Sequence, residues 1–170
     1  PMKTEKLDYH LPAELIAQQP ALNRDQSRLL VLNRPKGSII DNQFSSLPQY
    51  LREGDCLVLN DTKVLPARFF GHRTTGAAIE GLFLQETSGS IWLVMLKGSR
   101  KIKANERIIL EDRNKEDFCA AKLIEKREHG EALLNIEREG NSETILEEIG
   151  LPPLPPYIKR DRNQQMAMAD

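Results

Sequence analysis

Short apolar runs, separated by turn residues, repeat along the middle of the chain. Segments rich in strand-forming residues recur about every ten to fifteen residues from position 64 onward. They are 64–72, 77–87, 91–97, 106–111, 117–127 and 131–137. Gly, Asn, Ser and Asp lie between them, as expected of turns. This spacing predicts a small six-stranded antiparallel β-barrel, with Trp92 of the third segment in its core.

The first sixty residues mix predicted helix and strand. The run 13–19 follows a proline and predicts a short helix. Apolar runs at 28–33 and 56–60 predict buried strands. Two serines at the start of 45–51 predict the N-terminus of another short helix. These segments indicate an α/β arrangement with too few strands for a complete sheet.

A helix and a proline-rich segment follow the predicted barrel. Residues 142–150 begin with Ser142 as a predicted N-cap and end at Gly150, which predicts a short helix. Four prolines between 152 and 156 predict an extended segment.

Together, these elements predict an α+β fold in which the barrel is inserted into a partial α/β domain. We expect residues 1–62 to form the N-terminal part of the α/β domain and 63–150 to form the inserted barrel. Residues 151–170 then return to the α/β domain, whose remainder is absent from this chain.

Composition excludes several classes of protein. The 170 residues are 39% hydrophobic, with a mean hydropathy of -0.49. No window approaches the roughly 18 consecutive apolar residues of a membrane span, and the first residues lack the apolar core of a secretory signal. Cys56 and Cys119 lie far apart in apolar runs without metal-ligand spacing, which predicts reduced core thiols of a cytoplasmic protein and no metal site.

Charge is balanced overall but unevenly distributed. The chain has 24 Lys and Arg against 25 Asp and Glu, for a net charge of -1. Residues 62–105 carry 7 basic and 2 acidic groups, whereas 106–150 carry 7 and 13. A basic surface of this kind can attract a polyanion such as RNA. A solvated loop opposite an acidic neighbour would explain the same charges.

The densest polar cluster runs from 60 to 68, where a predicted strand ends and the barrel begins. Strand ends at domain junctions are common ligand sites. Asp61 is a candidate general base or cation ligand, and Lys63 and Arg68 are candidates to neutralise a phosphate or carboxylate. Alternatively, the side chains of Asn60 to Thr62 only fix a turn through backbone hydrogen bonds.

A second cluster is the segment 97–103 between two predicted strands. It holds four cations, Lys97, Arg100, Lys101 and Lys103, which predict phosphate contact. The segment has no aromatic residues that could stack on bases. The three histidines are isolated, and the chain contains no P-loop, nucleophile elbow or dinucleotide-binding glycine motif.

Several of these segments together resemble one enzyme family. The strings Asn60-Asp61-Thr62-Lys63-Val64-Leu65-Pro66-Ala67-Arg68 and Pro153-Leu154-Pro155-Pro156-Tyr157-Ile158 are long and specific, and Leu11-Pro12, Ser27-Arg28-Leu29-Leu30 and Gly54-Asp55 precede them in matching order. The chain is similar to the N-terminal half of the S-adenosylmethionine:tRNA ribosyltransferase-isomerases of queuosine biosynthesis. Asn105 and Pro152 depart from the pattern of many members.

The resemblance implies a reaction and its partners. Members transfer the ribosyl part of S-adenosylmethionine to the 7-aminomethyl-7-deazaguanine base at the wobble position of tRNAs with GUN anticodons, which gives epoxyqueuosine, adenine and methionine. S-adenosylmethionine is a substrate, and no cofactor, metal or membrane is expected. We expect a cytoplasmic monomer. Because members are about twice as long as this chain, the 170 residues alone are expected to be inactive.

The resemblance also suggests roles for the two clusters. Asp61 is the candidate base for the proton at C5′, next to the sulfonium, and Asn60 and Thr62 would orient the substrate. Lys63 and Arg68 would meet the methionine carboxylate or a tRNA phosphate. Arg73 and the cations of 97–103 would grip the anticodon arm. A non-catalytic RNA- or ribosome-binding β-barrel module is the alternative, and it would bind RNA without S-adenosylmethionine.

Overall fold

A computed structural model describes residues 3–159. These residues form two compact units, residues 3–61 with Pro156–Lys159 and residues Thr62–Pro155. The predicted domain boundaries stay a prediction. Most of the predicted return segment, from residue 160 to 170, lies outside the described residues.

The second unit contains a closed antiparallel barrel, as predicted. Its strands, in chain order, are β3 (Arg68–Arg73), β4 (Ala78–Ser88), β5 (Ile91–Lys97), β6 (Arg107–Glu111), β7 (Asp117–Lys126) and β8 (Glu131–Ile136). The order around the barrel is β3-β4-β5-β8-β7-β6, and β3 closes it by pairing with β6. Each strand lies within a few residues of its predicted segment. The basic and acidic blocks of the sequence therefore form two halves of one sheet.

Alternate residues of the strands point into the barrel and fill it with apolar side chains. Trp92 is 1% exposed, which confirms its predicted place in the core, and its ring meets Phe83 edge to face with centroids 4.9 Å apart. Phe69 is fully buried beside it. A Cβ on Gly81 would collide with the Phe69 ring, so the strand passes that ring only because residue 81 has no side chain.

The second unit also contains α1 (Ser142–Ile149), which packs Ile145, Leu146 and Ile149 into the barrel core. The predicted N-cap was wrong by one residue. Asn141, and not Ser142, is the N-cap, and its side chain accepts a hydrogen bond from the Thr144 backbone N–H at 2.8 Å. An Asx side chain one residue earlier satisfies the orphan amide as well as serine would.

The first unit has a small two-stranded sheet, β1 (Arg28–Asn33) paired with β2 (Ser38–Gln43). The strand at 28–33 is confirmed, but it is not buried, since Leu30 and Leu32 are 63% and 53% exposed. The other regular elements of this unit are four short 3-10 segments: Thr4–Leu7, Ala13–Leu15, Arg24–Gln26 and Phe44–Tyr50.

Three expectations for the first unit were wrong. The helix predicted at 13–19 is one 3-10 turn, and the segment around Ser45 forms a 3-10 helix without a side-chain cap. Residues 56–60 form no strand and are exposed, because no strand among residues 3–159 pairs with them.

The two cysteines differ from the predicted pair of core thiols. Both are free, but Cys56 is exposed and Cys119 is half-buried. Burial raises the pKa of the Cys119 thiol to about 11. The core prediction fails for Cys56 because its strand does not form here.

Across residues 3–159, none of the helices has the length and apolar character that crossing a bilayer needs. The same residues contain no group of three or more His, Cys, Asp or Glu side chains arranged to hold a metal ion.

Candidate functional site

The predicted substrate cluster begins in exposed, irregular backbone. Asn60 and Asp61 end the first unit, and Thr62 and Lys63 begin the second. All four residues are exposed. Within the second unit, Lys63 Nζ lies 3.6 Å from Glu147 Oε1 of α1, and both side chains are largely solvated. An exposed pair of this kind holds Lys63 only weakly, so it leaves the ammonium accessible to an anion.

Arg68, at the start of β3, lies in an ionic network on the outer face of the barrel. Its Nη2 and Nε donate to Glu80 Oε1 at 2.7 and 3.0 Å. Lys97 Nζ donates to the other oxygen of Glu80 at 3.3 Å. The guanidinium also lies 5.0 Å from the centroid of the Phe70 ring. Strand pairing creates this network, because β4 places Glu80 opposite Phe70 on one side and Lys97 on the other.

Partial burial alone would raise the pKa of Glu80, but the charges and hydrogen bonds of Arg68 and Lys97 lower it below its ordinary value. The carboxylate is therefore ionised at neutral pH and balances one of the two cations. The site keeps one net positive charge on a partly buried surface. Such a site suits the carboxylate of an amino acid or a single phosphate.

Arg73, at the other end of β3, forms a two-point ion pair with Glu106. Its Nε and Nη2 donate to the two carboxylate oxygens at 2.5 and 2.9 Å. The Arg73 and Glu106 side chains are only 19% and 13% exposed. Hydrogen bonds from Arg73 and from the Lys103 backbone lower the pKa of Glu106 to about 2. Arg73 is thus the predicted cation with the most enclosed partner.

The segment 97–103, which we term the basic loop, begins at the last residue of β5 and leads toward β6. Gly98 has a φ of +76°, and a 3-10 turn at Ser99–Lys101 follows it. Ser99 and Ile102 are buried, whereas Arg100, Lys101 and Lys103 are exposed. Among residues 3–159, no carboxylate pairs with any of these three exposed side chains. The buried residues fix the loop, and the exposed residues present unneutralised cations.

The structure groups the predicted residues differently from the sequence. It brings Arg68 and Lys97 together through Glu80, and Arg73 and the Lys103 backbone together through Glu106. Sequence reasoning missed both carboxylates, since their partners are set by strand register. It also missed Lys126, whose ammonium donates to the Arg100 carbonyl at 3.3 Å and adds a cation beside the loop.

Comparison with known proteins decides the family. The family model described as queuosine biosynthesis protein matches residues 4–168. The chain belongs to the queuosine biosynthesis protein family. This confirms the resemblance read from the strings at 60–68 and 153–158.

The curated relatives compared with this chain share one name. S-adenosylmethionine:tRNA ribosyltransferase-isomerase from Staphylococcus saprophyticus is 43% identical over 165 residues, which is 96% of this chain and 47% of the relative. The Staphylococcus epidermidis protein of the same name is 45% identical over 159 residues, which is 93% of this chain and 46% of the relative. The chain therefore spans about half the length of these curated relatives.

Among solved structures, the chain is similar to S-adenosylmethionine tRNA ribosyltransferase from Thermotoga maritima. The two are 33% identical, with a TM-score of 0.41, and the match covers 85% of this chain and 48% of the other.

Proposed function

We propose that this chain is the N-terminal half of a tRNA-modifying transferase and isomerase. The enzyme moves the ribosyl moiety of S-adenosylmethionine to 7-aminomethyl-7-deazaguanine at the tRNA wobble position and releases adenine and methionine. The observation that carries the proposal is the family match over residues 4–168, together with relatives of that name at 43% identity. The product is epoxyqueuosine, and the tRNAs are those with GUN anticodons.

The basic loop is the proposed contact to the anticodon arm. Its exposed cations Arg100, Lys101 and Lys103 make no salt bridge among the described residues, and Arg73 neutralises the nearby Glu106, so an approaching phosphate meets a net positive surface. Phosphate contacts supply a large share of the affinity of proteins for nucleic acids and position the substrate. Lys97 contributes less than the other cations, since Glu80 already holds it. We expect a monomer that works in the cytoplasm, where tRNA is found.

The proposed chemistry at the first cluster follows from the substrate. A sulfonium acidifies the neighbouring C5′, so a carboxylate within reach can remove that proton. Asp61 is our candidate for this base, with Asn60 and Thr62 as orienting groups. Arg68, held by Glu80 and Phe70, is a rigid candidate to bind the methionine carboxylate. Lys63, whose side chain is 82% exposed, is the second candidate for this carboxylate or for a tRNA phosphate.

The remainder of the site is proposed to come from the part of the relatives that this chain does not span. The first unit supports this proposal, because Leu57, Val58 and Leu59 are 53%, 86% and 75% exposed. The two-stranded sheet of the same unit also carries exposed apolar residues, among them Leu30 and Ile39. Isolated two-stranded sheets are marginally stable in water. Further strands would cover these apolar residues and complete the α/β domain.

The test is release of adenine. The complete reading frame that contains this chain is expressed and incubated with S-adenosylmethionine and tRNA that carries 7-aminomethyl-7-deazaguanine. Adenine formation that requires both substrates supports the proposal. Tight tRNA binding without adenine release would instead favour the non-catalytic RNA-binding barrel. The 170-residue chain, assayed in parallel, is expected to release none.

A further inference from the structure

Glu106 occupies an unusual place beside the basic loop. It lies in the turn that leads into β6, and its carboxylate accepts three hydrogen bonds. Two come from the Arg73 guanidinium, and one comes from the Lys103 backbone N–H at 2.8 Å. With the side chain only 13% exposed, these bonds are shielded from competing water. Charge-assisted bonds in such surroundings are stronger than neutral ones.

These contacts close one end of the basic loop. The Glu106 backbone N–H also donates to the Lys103 carbonyl at 3.1 Å, so Lys103 is tied to Glu106 in both directions. Next to it, Asn105 adopts a left-handed φ of +61°, and its backbone N–H donates to the Leu123 carbonyl at 2.7 Å. Ser99, near the start of the loop, and Ile102, beside Lys103, are both buried and hold the loop against the barrel.

We propose that Glu106 is a positioning residue that fixes the basic loop for tRNA, and that Arg73 serves by holding Glu106 and not by touching RNA. This inference rests on the proposed function, because it concerns the same loop. It replaces the expected direct contact of Arg73 with the anticodon arm by an indirect role.

The physical reason is preorganisation. A loop that is already ordered loses less conformational entropy when it binds, so it binds more tightly with the same contacts. Glu106 contacts the loop backbone and leaves the Lys103 ammonium exposed. Its negative charge is balanced by Arg73, so it does not repel the phosphate that the loop attracts. A carboxylate that faced the loop cations directly would repel that phosphate.

The test compares Glu106→Gln with a matched control, Glu137→Gln. Glu137 also accepts a bond from an arginine Nε, that of Arg107 at 3.1 Å, and its partners lie outside the loop. Both variants are made in the complete reading frame. Amide hydrogen exchange of 98–105 reports loop order, and the dissociation constant of substrate tRNA against salt concentration reports phosphate contacts.

For Glu106→Gln we expect exchange in 98–105 to be about tenfold faster, as for loss of one charge-assisted hydrogen bond. The tRNA dissociation constant rises about threefold to tenfold with an unchanged salt slope, since no phosphate contact is lost. Glu137→Gln changes neither quantity. Arg73→Ala also loosens the loop and keeps the salt slope. If Glu106→Gln does not fold, Glu106→Asp, which withdraws the carboxylate by one methylene, takes its place.

A double-mutant cycle separates positioning from a general effect on folding. In a chain with Arg100, Lys101 and Lys103 replaced by Ala, Glu106→Gln should no longer weaken tRNA binding. Equal weakening in both backgrounds would overturn the positioning role, as would unchanged exchange in 98–105. A salt slope lowered by Arg73→Ala would overturn the indirect role of Arg73.

The outcome also distinguishes failure of the proposed function. If the variant with Arg100, Lys101 and Lys103 replaced by Ala (the triple loop variant) binds tRNA as tightly as the unaltered protein, the loop does not contact tRNA. The proposed contact between the loop and the anticodon arm is then wrong. Exchange in 98–105 still decides whether Glu106 orders the loop. If the triple loop variant binds tRNA weakly but Glu106→Gln leaves hydrogen exchange in 98–105 unchanged, only the positioning role is rejected.

Discussion

Individual carboxylates decide which cations of this protein remain available to a ligand. Glu80 holds Arg68 and Lys97, and Glu106 holds Arg73. The loop cations, by contrast, have no carboxylate partner within the described part of the chain. Arg68 and Arg73 therefore act as oriented groups, whereas the loop cations act as free surface charges. The two kinds of residue should respond differently to substitution.

Glu106 makes a prediction about pH. Its pKa in the folded chain is about 2, against an ordinary value of 4.5. Because the folded state holds the proton less tightly, the pair stabilises the fold above pH 4.5, and this contribution is lost as pH falls toward 2. Glu106→Gln should therefore lower the melting temperature at pH 7, and the difference from the unaltered chain should shrink between pH 4.5 and 2. A constant difference would contradict the ion pair.

Asp61 makes a prediction about turnover. If Asp61 removes the C5′ proton, Asp61→Asn should slow single-turnover adenine release by at least about a hundredfold, as expected for a lost general base. Asp41→Asn is the control, since Asp41 is an exposed carboxylate on β2 of the same unit. Turnover near that of the control would remove Asp61 from the role of base.

At the scale of elements, the barrel tolerates no side chain at two strand positions. A Cβ on Gly81 would collide with the Phe69 ring, and one on Gly71 would collide with the Ile109 carbonyl oxygen. Gly81→Ala should destabilise the barrel by about 1–3 kcal/mol, the usual cost of overpacking a core. Denaturant unfolding measures this. Adding Phe69→Leu to Gly81→Ala should recover part of the lost free energy of unfolding. If the free-energy changes of the two single variants simply add in the double variant, the collision is contradicted.

The basic loop is the element that should carry the salt dependence of tRNA binding. Replacing Arg100, Lys101 and Lys103 by Ala should weaken binding and flatten its salt dependence by about one unit per lost phosphate contact. The control replaces three exposed cations of the first unit: Arg34, Lys36 and Arg52. An unchanged slope for the loop variant, or an equal change in the control, would place the contact elsewhere.

Across the whole molecule, local pattern is enough to predict the barrel strands but not their partners. Segments such as 91–97 are recognisable because alternating buried positions and flanking turns are local features. The pairing of β5 with β8, and the approach of Glu106 to Arg73, depend on closure of the barrel and have no local signature. For the same reason, the sequence reveals the cations but not their carboxylate partners.

In the first unit, local pattern is not enough to predict even all of the strands. The run 56–60 has the composition of a buried strand, yet it is exposed and unpaired with any strand of residues 3–159. A strand needs a neighbour for its backbone, and composition does not supply one. The α1 helix, by contrast, is predictable because its cap and its apolar face are both local, with an error of one residue at the cap.

The most direct measurement of the central claim follows the ribose itself. S-adenosylmethionine labelled with ¹³C in its ribose carbons is incubated with the protein from the complete reading frame and tRNA bearing 7-aminomethyl-7-deazaguanine. We predict that mass spectrometry of the digested tRNA finds all of the ribose label in the wobble nucleoside of GUN tRNAs. Unlabelled tRNA, recovered from a protein that is folded and binds it, would contradict the account.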